Sequence, residues 1–246
     1  MSGFYTAATA MLIQQRRLNT TANNMANAKT TGYRSERTIT STFNDILVGR
    51  QVRDKITPIG YGAPLTVVEE ISSKFDIADL EDTGRPMDIA IGGDGFFNID
   101  MDGTTYLTRN GNFEVNEEGF LVLKGVGQVM GSAGAIQLDN TDFAITESGE
   151  IYNSEGELVD TILVTMVEDP SQLIKQPNGT YVSQDGAGLM DSNAKIYQGK
   201  LERSNVDLNQ EMANMIEIQR AFQSVSNALK TIDQLNGKAI SEIGRL

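Results

Sequence analysis

The sequence predicts an α+β fold, in which an N-terminal and a C-terminal helix pair as an antiparallel coiled coil around a central all-β domain. Three observations predict it. Apolar residues repeat with heptad-like spacing at both ends of the 246-residue chain. The middle of the chain alternates apolar and polar residues between glycine-containing turns. Acidic residues and glycine are concentrated in this middle part, whereas the ends are rich in helix-forming residues.

The first helix is predicted from an apolar stripe near the N-terminus. Its members are separated by alternating steps of four and three residues, which places them on one side of a helix. They are Phe4, Ala8, Met11, Gln15, Leu18, Ala22 and Met25. Gln15 is the one polar member. We therefore expect residues 1–32 to form one half of a helical coiled-coil domain.

The second helix is predicted over residues 207–246. Its stripe contains Met212, Met215, Ile218, Phe222, Val225, Leu229 and Ile232. Asp207 is a candidate N-cap, and Gln210 three residues later suggests a variant of the capping box. Asn236 and Gly237 are expected to end or kink the helix. The predicted helix has about 30 to 36 residues and a length of roughly 45 to 54 Å.

The region 76–189 is predicted to be a small antiparallel β domain. Asp102-Gly103, Glu118-Gly119 and Glu155-Gly156 each lie between two apolar runs, as expected for hairpin tips. The expected core contains the apolar residues of these runs. They are Ile89, Ile91, Phe96, Phe113, Leu121, Leu123, Phe143, Ile145, Ile162 and Val164.

The residues 33–75 and 190–206 fit neither pattern and are predicted to connect the two domains. Tyr33–Val48 is expected to be an extended or partly helical arm. The segment ITPIGYGAP at residues 56–64 contains two prolines and two glycines and is therefore expected to be a loop.

Composition excludes most catalytic chemistry. The chain has no His and no Cys, which removes the commonest general base, the commonest metal ligands and thiolate nucleophiles. Asp100 and Asp102 resemble part of a calcium loop, but position twelve of that loop would be Gly111 in place of Glu, so a charged hairpin tip is the better interpretation. We expect no enzymatic activity, catalytic residue, metal site, cofactor or small-molecule substrate.

Charge and hydropathy limit the partners. The net charge is −13, which argues against nucleic acid or an anionic membrane as the main partner. The sequence has neither an apolar run of membrane-spanning length nor a signal peptide, so export would need another route. A two-helix ribbon buries little apolar area compared with the entropy that it loses on ordering. Self-association through the helices is therefore favoured over a closed monomer.

Three segments of the sequence resemble one family, the bacterial flagellar rod and hook proteins. NNMANAKTTGYR at residues 23–34 resembles its N-terminal signature, and LERSNVDLNQEMANMIEIQRAFQSVSNALKTID at residues 201–233 resembles its closing motif. GGDGFF at residues 92–97 and TRNGNF at residues 108–113 resemble its central β signature. The signature positions are Asn23, Asn24, Asn27, Thr31, Gly32, Tyr33, Gln219 and Arg220.

This resemblance implies a structural subunit of the flagellar basal-body rod. Such a subunit is exported by the flagellar type III apparatus and polymerises helically, outside the cytoplasm, into the shaft that links motor to hook. The implied partners are further copies of the chain, other rod and hook proteins, and the export apparatus. The length of the chain favours a rod protein over the longer hook proteins, and slightly favours the distal rod protein or a close proximal paralogue.

The resemblance also implies an export element. FNDIL at residues 43–47 is similar to the short motif, Phe43 followed by the apolar Leu47, with which early export substrates engage the export gate. An ordinary packing pair four residues apart explains Phe43 and Leu47 equally well.

Two other classes of protein remain as alternatives. A secreted adhesive or carbohydrate-binding β protein with incidental helical ends would need an aromatic-lined cleft, and the chain has no Trp. A cytoplasmic coiled-coil adaptor leaves the acidic, glycine-rich middle unexplained. Of the three classes, only a rod protein requires helical polymers, which electron microscopy of the concentrated protein detects.

Overall fold

The computed structural model describes residues 2–43, 47–52, 55–61, 65–138, 143–184 and 188–243. Helix α1 (Ser2–Ala26) and helix α2 (Leu208–Ile243) are the two ends of this chain, and strands occupy the sequence between them. The predicted α+β class, with terminal helices and a central β domain, is confirmed. Neither helix has a described stretch that is long and apolar enough to cross a membrane.

The described residues form 20 strands and one short 3-10 helix, Pro170–Gln172. The strands are β1 (Glu36–Phe43), β2 (Leu47–Val52), β3 (Lys55–Tyr61), β4 (Leu65–Ser73), β5 (Leu80–Asp82), β6 (Ile89–Ile91), β7 (Phe96–Met101), β8 (Thr104–Thr108), β9 (Phe113–Val115), β10 (Leu121–Leu123), β11 (Gly127–Val129), β12 (Phe143–Ile145), β13 (Glu150–Asn153), β14 (Leu158–Thr161), β15 (Val164–Val167), β16 (Leu173–Lys175), β17 (Tyr181–Ser183), β18 (Leu189–Asp191), β19 (Ile196–Gln198) and β20 (Lys200–Glu202).

The chain divides into two compact units. The helical unit contains Met1–Ala26, Glu36–Ser73 and Asp207–Leu246, so it includes β1 to β4 as well as both helices. The β unit contains Asn27–Ser35 and Lys74–Val206. Each unit is therefore built from segments that are far apart in the sequence.

In the helical unit, α1 packs against α2. Strand β1 pairs with β4 and β2 pairs with β3, in both cases antiparallel. Residues 36–43 are thus extended. This agrees with the extended conformation, which was one of the two expected for this arm. The expected loop at residues 56–64 is wrong for its first six residues, which belong to β3. Pro58 is tolerated there because a two-stranded ribbon leaves backbone N–H positions unpaired and the register shifts beside it, where Gly49 is opposite Pro58.

The start of α2 is confirmed, and its 36 residues agree with the predicted length, but the helix does not end at Asn236 and Gly237, which was one of the two expectations for that site. Asp207 Oδ1 accepts hydrogen bonds from the backbone N–H of Asn209 at 2.9 Å and of Gln210 at 3.2 Å, which is the geometry of an N-cap. The Gln210 side chain donates to Asn214 Oδ1 at 3.0 Å, so it does not close a capping box. The helix continues through Gly237 to Ile243 for a total of 36 residues, because the backbone hydrogen bonds of a continuous helix outweigh the cost of one glycine.

The β unit is organised around one large antiparallel sheet. The main path of this sheet has the strand order β16-β17-β8-β7-β11-β10-β9, and β15 joins it by pairing with both β7 and β18. Strands β12, β13 and β14 form a separate three-stranded sheet, while β19 pairs with β6 and β20 pairs with β5. The last two pairings join the C-terminal part of the unit to its beginning.

The predicted core residues are buried, with two refinements. One cluster contains eight of them, Ile89, Ile91, Phe113, Leu121, Leu123, Phe143, Ile162 and Val164, together with residues that include Ile99 and Ile151. Phe96 is buried in a second cluster with Leu107, Val167 and Tyr181. Ile145 is only half-buried against the first cluster. Alternating strand residues face opposite sides of the sheet, which explains why neighbouring Phe96 and Phe97 enter different clusters.

The predicted hairpin tips are confirmed. Asp102 and Gly103 join β7 to β8 with φ angles of 54° and 78°, the left-handed values that a tight two-residue turn requires. The turn containing Glu118-Gly119 joins β9 to β10, and the one containing Glu155-Gly156 joins β13 to β14. Asp102 is therefore a turn residue, in agreement with the rejection of a calcium loop.

Two glycine substitutions should have opposite effects on stability. A Cβ atom at Gly111 would lie 1.6 Å from the backbone oxygen of Ile89, so Gly111→Ala should lower the free energy of unfolding by about 3 kcal/mol or more. A Cβ atom at Gly237 would meet nothing within 4 Å, so Gly237→Ala should raise helix stability by about 0.5 to 1 kcal/mol. Urea unfolding followed by circular dichroism measures both changes. Equal effects would contradict this interpretation.

Candidate functional site

The apolar stripe of α2 faces the interior of the helical unit. Ile218 is 4% exposed, and Met215, Phe222, Val225, Leu229 and Ile232 are half-buried. Met212 is 46% exposed and lies outside this buried face. The stripe predicted for α2 thus coincides with its packed side from Met215 onward.

The packed side of α1 is rotated away from the predicted stripe. The buried residues of α1 are Ile13, Thr20, Thr21 and Asn24, whereas Phe4 is exposed and Met11, Leu18 and Met25 are only half-buried. Three of the four buried residues are polar, and a search for apolar periodicity cannot find them. The Thr20 hydroxyl is satisfied by the backbone oxygen of Arg16 at 3.1 Å and the hydroxyl of Thr38 at 3.2 Å. The expected role of the stripe as an assembly surface stays a prediction.

Asn24 holds the beginning of β1. Its Nδ2 donates to the backbone oxygen of Glu36 at 2.8 Å, and its Oδ1 accepts from the backbone N–H of the same residue at 2.9 Å. The same Nδ2 donates to Glu211 Oε1 at 3.2 Å. A side-chain amide has the donor and acceptor of a peptide group, so Asn24 satisfies backbone groups that would otherwise be buried without partners. This explains one of the signature asparagines.

Gly32 lies where two backbones approach closely. Its φ angle is +65°, and a Cβ atom there would lie 2.4 Å from the backbone carbon of Arg109. Its N–H donates to the backbone oxygen of Glu202 at 2.8 Å. Only glycine combines this conformation with this contact. The signature glycine is therefore required for packing within the β unit.

The neighbouring signature residues shape the same segment. The carbonyl of Asn27 accepts the N–H of Thr30 at 3.0 Å, and Thr31 is half-buried. Tyr33 is 8% exposed, and the ammonium of Lys175 lies 4.0 Å from the centre of its ring, the geometry of a cation–π contact. Asn23, Gln219 and Arg220 are exposed residues of the helices.

A buried ion cluster lies directly after this segment. Arg34 Nη2 is 2.8 Å from Glu202 Oε1, and Arg109 Nη1 is 3.4 Å from Glu202 Oε2. Arg34 and Glu202 are each 1% exposed, and Arg109 is 4% exposed. One carboxylate thus lies between two guanidinium groups, out of contact with water. We refer to these three residues as the ion cluster.

Backbone groups also bind the ion cluster. Arg34 Nη1 donates to the backbone oxygen of Asp76 at 2.5 Å, and Arg109 Nη2 donates to that of Gly93 at 2.7 Å. Glu202 Oε1 also accepts the N–H of Ala78 at 3.0 Å. Among the described residues, the Nε atoms of Arg34 and Arg109 are buried without a hydrogen-bond partner, so the ion cluster keeps part of its desolvation cost.

Burial of Arg109 is costly in free energy. Loss of hydration lowers the pKa of its guanidinium from the usual value to about 10, while the negative charge of Glu202 raises it and the positive charge of Arg34 lowers it further. A folded pKa below the unfolded one means that burial disfavours the charged form, and this cost disappears only as the pH rises above 10. Glu202 is therefore what makes a charged Arg109 tolerable at neutral pH.

Asn205 makes a second set of hydrogen bonds that join the C-terminal part of the β unit to its N-terminal segment and to the residues that follow β4. Its Oδ1 accepts from the backbone N–H of Ser35 at 2.7 Å, and its Nδ2 donates to the backbone oxygen of Lys74 at 2.8 Å. The N-terminal segment of the β unit is thus fixed by residues 202 and 205 together.

Arg34, Arg109, Glu202 and Asn205 are not among the site residues that the sequence predicts, although all four lie inside the segments that resemble the family. Periodicity cannot pair residues that are so far apart in the chain. The same segments contain further charged residues, such as Arg203, so composition does not distinguish the members of the ion cluster either.

The predicted export element falls partly outside the described residues. Phe43 is the last residue of β1 and Leu47 is the first residue of β2. Residues 44–46 between them lie outside the described residues. The element therefore stays a prediction. Within the described ranges, no three His, Cys, Asp or Glu residues are grouped so that they could hold a metal ion.

Three family models match the chain, in the order of the sequence. Residues 4–34 match the flagella basal body rod protein family, residues 90–153 match the D1 domain of the flagellar hook proteins FlgE/F/G, and residues 197–242 match the C-terminal region of the flagellar basal body rod FlgEFG proteins. Each member of the ion cluster comes from a different one of these three matches.

Full-length relatives agree with these matches. The chain is 30% identical to a flagellar basal-body rod protein FlgF of Rhizobium meliloti, with 99% of this chain and 98% of the relative covered. It is 32% identical to a flagellar basal-body rod protein FlgG of Agrobacterium fabrum, with 93% and 94% covered. A FlgF protein of Caulobacter vibrioides is 28% identical over 100% of this chain and 99% of its own length.

Removal of the central carboxylate should destabilise the protein strongly. Glu202→Gln removes the carboxylate that pairs with both buried guanidinium groups and should lower the free energy of unfolding of the β unit by about 3 to 5 kcal/mol. Arg109→Met should cost less, because it also removes a group whose burial is unfavourable. Circular dichroism during urea unfolding gives these values.

The matched control is Glu81→Gln. Glu81 is an exposed partner of Arg203 on the neighbouring strand β5, with 3.7 Å between their charged atoms, and its loss should change stability by about 0.5 kcal/mol or less. A similar cost for the two carboxylates would show that the ion cluster has no special importance for stability.

Proposed function

This chain belongs to the family of flagellar basal-body rod proteins, and from that membership we propose that it is a structural subunit of the flagellar rod. Proteins of this family are structural and are not enzymes, and the basal body of the flagellum is their location. The observation that carries the proposal is the match of both ends and the middle of the chain, in the family's order.

The proposal includes export and polymerisation. In it, the flagellar type III apparatus exports the chain, which then polymerises helically and contacts other rod and hook proteins. The distribution of charge supports such an assembly. The helical unit has ten acidic and ten basic residues, whereas the β unit has 23 acidic and ten basic residues and therefore carries the whole net charge of −13. Like-charged β units repel one another, so copies can approach closely only through their neutral helical units.

The proposal further assigns α1 and α2 to an antiparallel coiled coil. Support comes from the packed stripe of α2 and from the contact of Asn24, near the end of α1, with Glu211 in the first turn of α2. Both helices also expose large apolar side chains that neighbouring copies would cover. These are Phe4 and Leu12 on α1, and Met212, Ile216, Leu235 and Ile240 on α2. Residues 33–75 and 190–206 would connect this coiled coil to the domain of residues 76–189.

The substitution Phe222→Asp tests the proposed assembly role. A carboxylate in the middle of the α2 stripe must be desolvated or must expel the helix, at a cost of several kcal/mol, which we expect to prevent rod assembly. Cells that carry this variant as their only copy should lack filaments and fail to swim. Soft-agar motility and electron microscopy of basal bodies give the result.

Asp102→Asn is the control, because Asp102 lies at an exposed hairpin tip of the other unit and its change should leave motility intact. Swimming cells with Phe222→Asp would contradict the assembly role of the stripe. Non-motile cells with normal rods would place the defect elsewhere.

Association should depend on ionic strength in a definite direction. If the acidic β units repel, added salt or a pH that approaches the isoelectric point near 4.4 should strengthen association of the purified protein. Light scattering across a salt series measures this. Association that weakens steadily with salt would show instead that ion pairs hold the copies together.

A further inference from the structure

The ion cluster joins three parts of the β unit that the sequence separates widely. Arg34 lies in the short segment Asn27–Ser35, Arg109 follows β8, and Glu202 ends β20. All three are at least 96% buried, and the only carboxylate among them belongs to the C-terminal segment. The cluster is therefore complete only when that segment is in place.

The backbone contacts of the N-terminal segment depend on the same C-terminal residues. The N–H of Gly32 is bonded to the backbone oxygen of Glu202, and the N–H of Ser35 is bonded to the side chain of Asn205. The N–H of Ala78 and the backbone oxygen of Lys74 also have partners on these two residues. Without residues 202–205, residues 30–35 and 74–78 lose these bonds together.

Electrostatics makes docking of the N-terminal segment depend on the carboxylate of the C-terminal segment. Before Glu202 arrives, docking of the N-terminal segment would bury Arg34 beside Arg109 without the carboxylate that pairs with both, and among the described residues only the charge of Asp94 would act favourably on Arg109. Two buried like charges repel, and each also loses its hydration. The segment is then more stable in solvent. Arrival of the carboxylate reverses this preference, because it neutralises one cation and attracts both.

We infer that Glu202 acts as an electrostatic lock, which keeps residues 30–35 undocked until the C-terminal strand β20 has joined the β unit. The main apolar cluster of the unit, formed by residues between 89 and 164 together with Ile196, contains neither Arg34 nor Glu202. The lock therefore separates two stages, a core that is held by apolar contacts and an N-terminal segment that closes last.

The biological role of the lock rests on the proposed function. If export begins with the N-terminus, residues 30–35 are outside long before Glu202. In that interval the lock keeps the N-terminal segment open. Closure would then report that the whole β unit has emerged. The physical behaviour of the lock can be tested in the purified chain without any flagellar assembly.

Hydrogen exchange of the full-length protein, followed by mass spectrometry, tests the inference. In Glu202→Gln, peptides that cover residues 30–36 and 74–79 should exchange roughly a hundredfold faster than in the wild type. Peptides that cover β6, β7 and β10 should remain far better protected than residues 30–36, because the N-terminal segment opens while the apolar core stays closed; their own rates rise only by the loss of global stability. Asp82→Asn, which removes an exposed partner of Lys200 on β5, should change neither set.

A second, milder variant keeps the test informative if Glu202→Gln unfolds completely. Glu202→Asp keeps the charge but shortens its reach, and should accelerate the same peptides by a smaller factor while the core stays protected. The inference is overturned if residues 30–36 keep wild-type exchange in both variants, or if residues 30–36 and the core exchange with the same protection in Glu202→Asp, which would show that they open together. Motility of cells that lack this protein decides the proposed function separately, because the exchange experiment uses the purified chain and needs no rod.

Discussion

The β unit depends on one buried carboxylate. Glu202 lies between the guanidinium groups of Arg34 and Arg109, and none of the three has access to water. Each charge would be unstable at its position if it were alone, because loss of hydration costs more than a neutral hydrogen bond returns. The three positions are therefore mutually dependent, and the chain segments that contain them must be brought together as a set.

Asparagine side chains perform a related task in both units. Asn24 pairs in both directions with the backbone of Glu36 in the helical unit, and Asn205 does the same for Ser35 and Lys74 in the β unit. Both sites lie at the end of a strand, Glu36 at the beginning of β1 and Lys74 directly after β4. A short amide side chain satisfies backbone groups there with little loss of entropy, which fixes the chain where these strands begin and end.

The two units differ in net charge, and therefore in their tendency to associate with another copy. The β unit carries the whole net charge, and the helical unit is neutral and exposes apolar side chains on both helices. A neutral, partly apolar unit gains from contact with another copy, whereas a unit of charge −13 is repelled and remains soluble. This asymmetry suits a subunit in which one part assembles and the other stays hydrated.

The sequence alone determined the features that repeat locally. The two helices, the N-cap at Asp207, the hairpin tips and most of the β core follow from periodicity and turn chemistry, which depend on residues a few positions apart. Only the tertiary structure decided the features that join distant residues. The polar packed face of α1 has no hydrophobic period, and the strand through Pro58 exists because β2 pairs with it. The ion cluster unites positions 34, 109 and 202, which no local pattern connects, because the free energy of a buried charge is set by whatever the fold places beside it.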